Sequence, residues 1–212
     1  SRSSYLEYND TRWRSIVEMG WLDLAASGRY GGSENTFGLL CTLVEALGAG
    51  VVSEPFLSEV ALGGGFLTRI KNSPLKDDLL KAWRGGDTHI ALAYRTSRSS
   101  DFFCDPFTGV KGEKRHDKIL LEGCRQGVLD GGTANWFLVT GHIDGLPTVI
   151  SIPASARGLS ISRAKTFDGR TIVDLELSGV VVPLANRLDL GATVVRSVEE
   201  SLICFILLCS AE

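Results

Sequence analysis

Five cysteines, three histidines and a pair of adjacent glutamates are the side chains of this sequence best suited to metal, redox or acid–base chemistry. Their spacing decides most of the question. Cys41, Cys104, Cys124, Cys204 and Cys209 are odd in number and scattered, with no CxxC pair. That pattern supports neither a disulfide framework nor a tetrahedral zinc site. His89, His116 and His142 lie far apart in sequence, so they read as ordinary core or surface residues and no metal site is expected. Glu199 and Glu200 fall near the start of an apolar helix, where the dipole favours carboxylates, and read as an exposed acidic face. Two glycine features remain. Tyr30-Gly31-Gly32 reads as a loop needing positive φ, and Gly127 as a bulge or tight crossing in a strand.

The elements that must position these groups follow from periodicity. The chain has 212 residues, 44% of them hydrophobic and 22% charged, with a formal net charge of −3. This is enough chain to bury a core and too apolar for intrinsic disorder. The mildly acidic balance argues against a nucleic-acid binder, and the longest apolar run, Leu202 to Cys209, is too short to span a bilayer. No signal peptide precedes the first helix, so a reducing cytoplasm is expected.

The first third predicts helices. Asp10 is the expected N-cap of one that buries Trp13, Ile16 and Val17 and stops at Gly20. Phe37, Leu40, Cys41, Val44 and Leu47 mark a second. A third starts near Pro55 and ends at the Gly63-Gly64-Gly65 break, and a fourth is capped by Ser73 with Pro74 just inside. After residue 86 the period becomes strand-like: His89–Tyr94, Lys118–Glu122, Asn135–Thr140, Thr148–Ile152, Leu159–Ser162 and Thr171–Leu177. Short strands without intervening helices predict an antiparallel barrel or sandwich. Val195, Val198, Leu202, Phe205, Ile206 and Cys209 then form one wide apolar helical stripe that needs partners. The expectation is therefore an α+β chain: a helical bundle over 1–86, a β-domain over 87–188, and a single C-terminal helix over 189–212.

That order resembles the acyl-CoA dehydrogenase family, and particular residues carry the resemblance. Met19-Gly20-Trp21-Leu22-Asp23-Leu24 followed by Arg29-Tyr30-Gly31-Gly32 is similar to that family's helix end and "YGG" turn. Val44-Glu45-Ala46-Leu47-Gly48 resembles its next helix. Gly131 to Val139 resembles the entry into a middle-domain strand, and Asp174 to Pro183 the strand that closes that domain. The resemblance implies a three-domain flavoenzyme in which FAD lies between the β-domain and C-terminal helices. A glutamate removes the α-proton of an acyl-CoA thioester while hydride passes to the flavin, which then reduces electron-transferring flavoprotein or a similar acceptor. On that comparison the chain holds two domains and the opening helix of a third.

The resemblance also implies site residues. The family's first flavin-contacting strand matches Ala91 to Ser100, with Ala93 at a threonine position, so backbone groups of Leu92 and Ala93 are left to serve the flavin; Ser99 falls near a substrate-contacting serine. The second flavin motif, an aromatic, an aliphatic and a hydroxyl residue, matches Gly127, Val128 and Leu129, which removes the stacking ring and the hydroxyl. Arg95 and Arg98 become a possible electropositive lip near the pyrophosphates, and Glu200 is roughly placed for a base on the first C-terminal helix. Two functions follow from these matches. One is an acyl-CoA dehydrogenase with degenerate flavin contacts, acting on a fatty or steroid thioester. The other is a non-catalytic, flavin-deficient partner subunit of a hetero-oligomeric dehydrogenase. A related flavin oxidase or monooxygenase is a third. In each case the exposed apolar helix predicts a homo- or hetero-oligomer.

Overall fold

The structure, a computed structural model, describes residues 8–25, 36–50, 52–71, 73–96, 105–166 and 169–209. Its helices are α1 (Asp10–Glu18), α2 (Thr36–Ala49), α3 (Phe56–Ala61), α4 (Gly64–Leu67), α5 (Pro74–Arg84) and α6 (Ala192–Cys209). The strands are β1 (Ile90–Ala93), β2 (Val110–Arg115), β3 (Lys118–Leu129), β4 (Trp136–Ile143), β5 (Leu146–Pro153), β6 (Leu159–Lys165), β7 (Thr171–Pro183) and β8 (Arg187–Leu190). The α+β class and the order of helices, strands and final helix are those expected from the sequence. Among the described residues no helix is long and apolar enough to cross a membrane, and no three metal-ligating side chains cluster.

Several local expectations need correction. Asn9, not Asp10, caps α1: its side chain accepts from the Arg12 N–H at 3.1 Å, satisfying one orphan donor of the first turn. The sheet is mixed rather than antiparallel. Its order is β6-β7-β3-β2-β4-β5-β8 with β1 on β4, and both β1 and β2 run parallel to β4. Alternation of apolar and polar residues fixes which side of a strand is buried but not its pairing direction. β2 and β8 carry no alternating apolar signal of their own; β2 is mostly exposed and gains its order from pairing with β3 and β4. The third helix does end before Gly63 as expected, but the break is brief, because Gly64 and Gly65 already open α4.

Two apolar cores result. One fills the sheet interior with Ala93, Val110, Ile119, Leu121, Val128, Phe137, Val139, Ile150, Val173 and Leu175. The other joins the helices to the sheet's opposite side, through Trp13, Phe56, Phe66, Trp83, Leu92, Leu138, Val149, Val194 and Val198. Alternate residues of β1 and β4 thus serve different cores, as a period of two demands.

A buried polar joint ties the helices to the sheet where the period changes. Glu59 of α3, fully buried, accepts from Trp83 Nε1 at 2.6 Å and from the Ile90 N–H at 3.3 Å, and its Oε1 lies 2.8 Å from His89 Nδ1. Burial pushes the Glu59 carboxyl above its ordinary value. His89 Nε2 lies 3.1 Å from the Tyr8 hydroxyl, and its ring rests against Trp13 with centroids 4.7 Å apart. Burial and the nearby carboxylate of Asp10 push the Tyr8 phenol up to about 12. The folded chain therefore favours the neutral phenol, whose contribution is intact below pH ~10 and lost as the pH climbs toward 12. An alkaline absorbance titration should contain a phenolate step near pH 12 that Tyr8→Phe removes.

Candidate functional site

The two stretches singled out by sequence are brought side by side. Beyond the end of β1, the Arg95 carbonyl accepts from the Gln126 N–H of β3 at 2.9 Å. This places Leu92 and Ala93 next to Gly127, Val128 and Leu129, although more than thirty residues separate them in the chain. The side chains of Leu92, Ala93 and Val128 are all buried in the two cores. The Ala93 carbonyl accepts from Thr140 Oγ1 at 3.2 Å. What the strip presents outward is Gly127, the half-buried Leu129 and backbone.

Gly127 is a bulge and an open platform at once. Pairing of β3 with β7 shifts register between Arg125 and Val128, and Gly127 adopts φ +63°. A Cβ placed on it would meet nothing within 4 Å, so the space is open and the backbone conformation alone disfavours a larger side chain. Its N–H donates to the Asp174 carboxylate at 2.8 Å. That donor is therefore occupied within the chain. Beside it runs a groove of about 430 Å³ whose lining includes Glu122, Cys124, Gln126, Ser162, Asp174 and Glu176, and no lysine or arginine.

Sequence reasoning missed three residues that shape this strip. Asp130 follows Leu129 with φ +51°, an uncommon conformation for a residue other than glycine, and accepts from Ser58 Oγ of α3 at 2.6 Å. Asp174 caps Gly127 as described. The only local signal was the Asp130-Gly131 pair, a turn dipeptide; the partners come from distant segments. Arg125, at the bulge's other side, is wholly buried and donates to the carbonyls of Thr108, Pro106 and Thr140.

Glu200 lies on the exposed side of α6, where Arg196 Nε donates to it at 2.7 Å across one helical turn. Glu199 is also exposed, whereas Ser197 and Ser201 face inward; Ser201 meets Arg69, whose Nη1 donates to its hydroxyl at 3.3 Å. Ser99, Arg98 and the Tyr30-Gly31-Gly32 loop lie outside the described residues. Among the described residues Cys41, Cys124, Cys204 and Cys209 form no disulfide.

Tested against a flavin dinucleotide, these residues do not fit. No hydroxyl stands at Ala93 or Leu129, no ring stands at Gly127, the Gly127 N–H is spent on Asp174, and the adjoining groove carries carboxylates that would repel a pyrophosphate.

No family model matches the sequence, and no curated protein matches it either. Solved structures do match. The ChsE4–ChsE5 complex from Mycobacterium tuberculosis is 25% identical, with a TM-score of 0.77 over 94% of this chain and 54% of its own. A glutaryl-CoA dehydrogenase from Mycobacterium smegmatis, solved in complex with FADH2, is 17% identical, with a TM-score of 0.77 over 96% of this chain and 55% of its own. A Tcur3481–Tcur3483 steroid ACAD is 18% identical, with a TM-score of 0.81 over 95% and 53%. The chain thus has the fold of acyl-CoA dehydrogenases along nearly its entire length, and it spans about half the length of these structures.

Proposed function

We propose that this chain, built on the acyl-CoA dehydrogenase fold, is a non-catalytic, flavin-deficient subunit of a hetero-oligomeric acyl-CoA dehydrogenase. On this reading it is divided as the sequence suggests, into a helical domain over 1–86, a β-domain over 87–188 and, from 189, the first helix of a third domain. A flavin-bearing partner chain supplies the FAD and the base. The acyl-CoA thioester and an acceptor such as electron-transferring flavoprotein engage that partner. The two-chain complexes among the similar solved structures support such an assembly, and one of them is described as a steroid enzyme, which makes a steroid thioester a candidate substrate.

The observation that carries the reading is the outward face of the strip at Gly127 and Leu129, with the Gly127 N–H closed by Asp174. The lost hydroxyl at Leu129 and the lost stacked ring at Gly127 together forfeit about 2 kcal/mol, or roughly thirtyfold in affinity. The purified chain is expected to be colourless and to retain no FAD through gel filtration. Mixed with a flavin-bearing dehydrogenase chain of the same assembly, it should co-elute at a flavin content of one per pair of unlike chains. A yellow protein carrying stoichiometric FAD on its own would sink the proposal.

The open space above Gly127 favours one other reading, a self-sufficient dehydrogenase. There FAD would be held by backbone groups of Leu92, Ala93, Gly127, Val128 and Leu129, with Ser99 toward the substrate and Glu200 as base. Acyl-CoA-dependent bleaching of a flavin band in the isolated chain, abolished by Glu200→Gln, is the result that reading requires.

A further inference from the structure

The Tyr8–His89–Glu59 chain does more than fasten the joint. We propose that it is a proton-operated latch, in which proton uptake by the buried Glu59–His89 pair turns the Tyr8 hydroxyl from His89 toward Asp10 at the head of α1. The latch starts from the form in which Glu59 is a carboxylate and His89 a neutral imidazole. Every other partner of the Glu59 carboxylate is an N–H: Trp83 Nε1 at 2.6 Å on Oε2, and the Ile90 N–H at 3.3 Å from both oxygens. As a carboxylate Glu59 accepts in every one of these contacts, and the hydrogen in the 2.8 Å contact with His89 then sits on Nδ1. With His89 neutral, Nε2 is bare and accepts from the Tyr8 hydroxyl at 3.1 Å.

Tyr8 has one hydroxyl hydrogen and two acceptors within reach, the second being Asp10 Oδ1 at 3.4 Å. When the pair takes up a proton, Nε2 becomes a donor and Tyr8 must accept from it. Its own hydrogen is then released to Asp10. The added charge lies between a carboxylate on one side and the Trp13 and Tyr8 rings on the other, with His89 centroids 4.7 and 5.4 Å from them. The charged groups facing this chain are few. The start of α1 brings Asp10, held also by Arg14 at 2.9 Å, and Arg12; the segment before α3 brings buried Glu54, paired with Arg12 at 2.7 Å; α3 brings Glu59. Trp83 of α5 and Asn135, in the turn before β4, are neutral.

The main chain of His89 gives the latch its reach. Its N–H donates to Asn135 Oδ1 at 2.8 Å, and its carbonyl accepts from the Asn135 and Trp136 N–H groups at 2.9 and 3.2 Å. One residue thus spans the α1 cap, the helical core and β4.

Nitrogen NMR of the His89 ring in the wild-type chain reads the proposal directly. At the alkaline end Nδ1 should be protonated and Nε2 bare, and acidification should protonate Nε2. Asp10→Asn should lower the midpoint of that step by about half a unit, the size of one charge-assisted hydrogen bond weakened rather than lost. In a Tyr8→Phe background the same substitution should move it by less than half as much, because the hydroxyl that relays the effect is gone. A proton found on Nε2 and not Nδ1 at the alkaline end overturns the proposal, with no variant needed. So does an Asp10→Asn shift undiminished by Tyr8→Phe, which would mean that Asp10 acts through space alone.

Discussion

Replacing Arg125 by alanine is expected to destabilise the chain by about 3–5 kcal/mol, the range for truncating a large side chain in a closed core. Arg125 is wholly buried and donates to three main-chain carbonyls, those of Thr108 and Pro106 in the turn before β2 and that of Thr140 in β4. Burial pulls its guanidinium down to about 10, and the Nε hydrogen has no partner. The charge itself is therefore held at a cost, and its value lies in satisfying those carbonyls. Truncation takes a donor from the Thr108 and Thr140 carbonyls, a loss of about 1–3 kcal/mol for each that water cannot reach, while the Pro106 carbonyl keeps the Thr140 hydroxyl. Arg125→Met, which fills the volume but supplies no donor, isolates the hydrogen-bond share and should recover only part of the loss. A thermal midpoint within about 2 °C of wild type for the alanine variant would mean that the turn is held by other contacts.

Gly64→Ala and Gly65→Ala should each unfold or severely weaken the helical domain, by at least about 3 kcal/mol, the upper end of ordinary overpacking. A Cβ on Gly64 would lie 2.0 Å from the Trp83 ring, and one on Gly65 would lie 1.6 Å from the Val60 carbonyl oxygen. Neither neighbour can yield. Trp83 is fully buried and anchored to Glu59 at 2.6 Å, and Val60 belongs to the preceding helix backbone. Gly20 provides the control: its φ is +71° but a Cβ there meets nothing within 4 Å, so Gly20→Asn should cost little. Urea midpoints of the three variants test the contrast, and equal losses at Gly64 and Gly20 would contradict the crowding argument.

These two cases show where sequence reading stopped. Gly63-Gly64-Gly65 reads as a helix break because glycine is a poor helix former, a local argument. What the glycines serve is the close approach of α4 to Trp83 and Val60, and no local pattern encodes that distance. Arg125 lies beyond the expected strand Lys118–Glu122, and nothing in its neighbourhood announces the three carbonyls it meets. By contrast Ser73-Pro74 states a helix start in two residues, and the cap and the Pro at the first turn stand in the structure. The Gly127 bulge was likewise visible, because positive φ is written into the residue type.

The candidate strip divides the same way. That Ala93, Gly127 and Leu129 lack hydroxyls and a ring is a property of residue identity, and it reads directly from the sequence once the strands are aligned. That the Gly127 N–H is closed by Asp174, that Asp130 is tied to Ser58, and that Glu200 turns outward onto Arg196 depend on partners up to seventy-two residues away.

By itself the sequence determined the α+β class, the order of the elements and the residue types that stand at positions 93, 127 and 129, because periodicity and residue type are local quantities. Only the tertiary structure decided the parallel pairing of β1 and β2 with β4, the buried Glu59–His89 joint and the acidic groove beside Gly127. Those features arise where segments distant in the chain exclude water together, and the energy of a buried charge or an occupied donor is set by neighbours that no window of sequence contains.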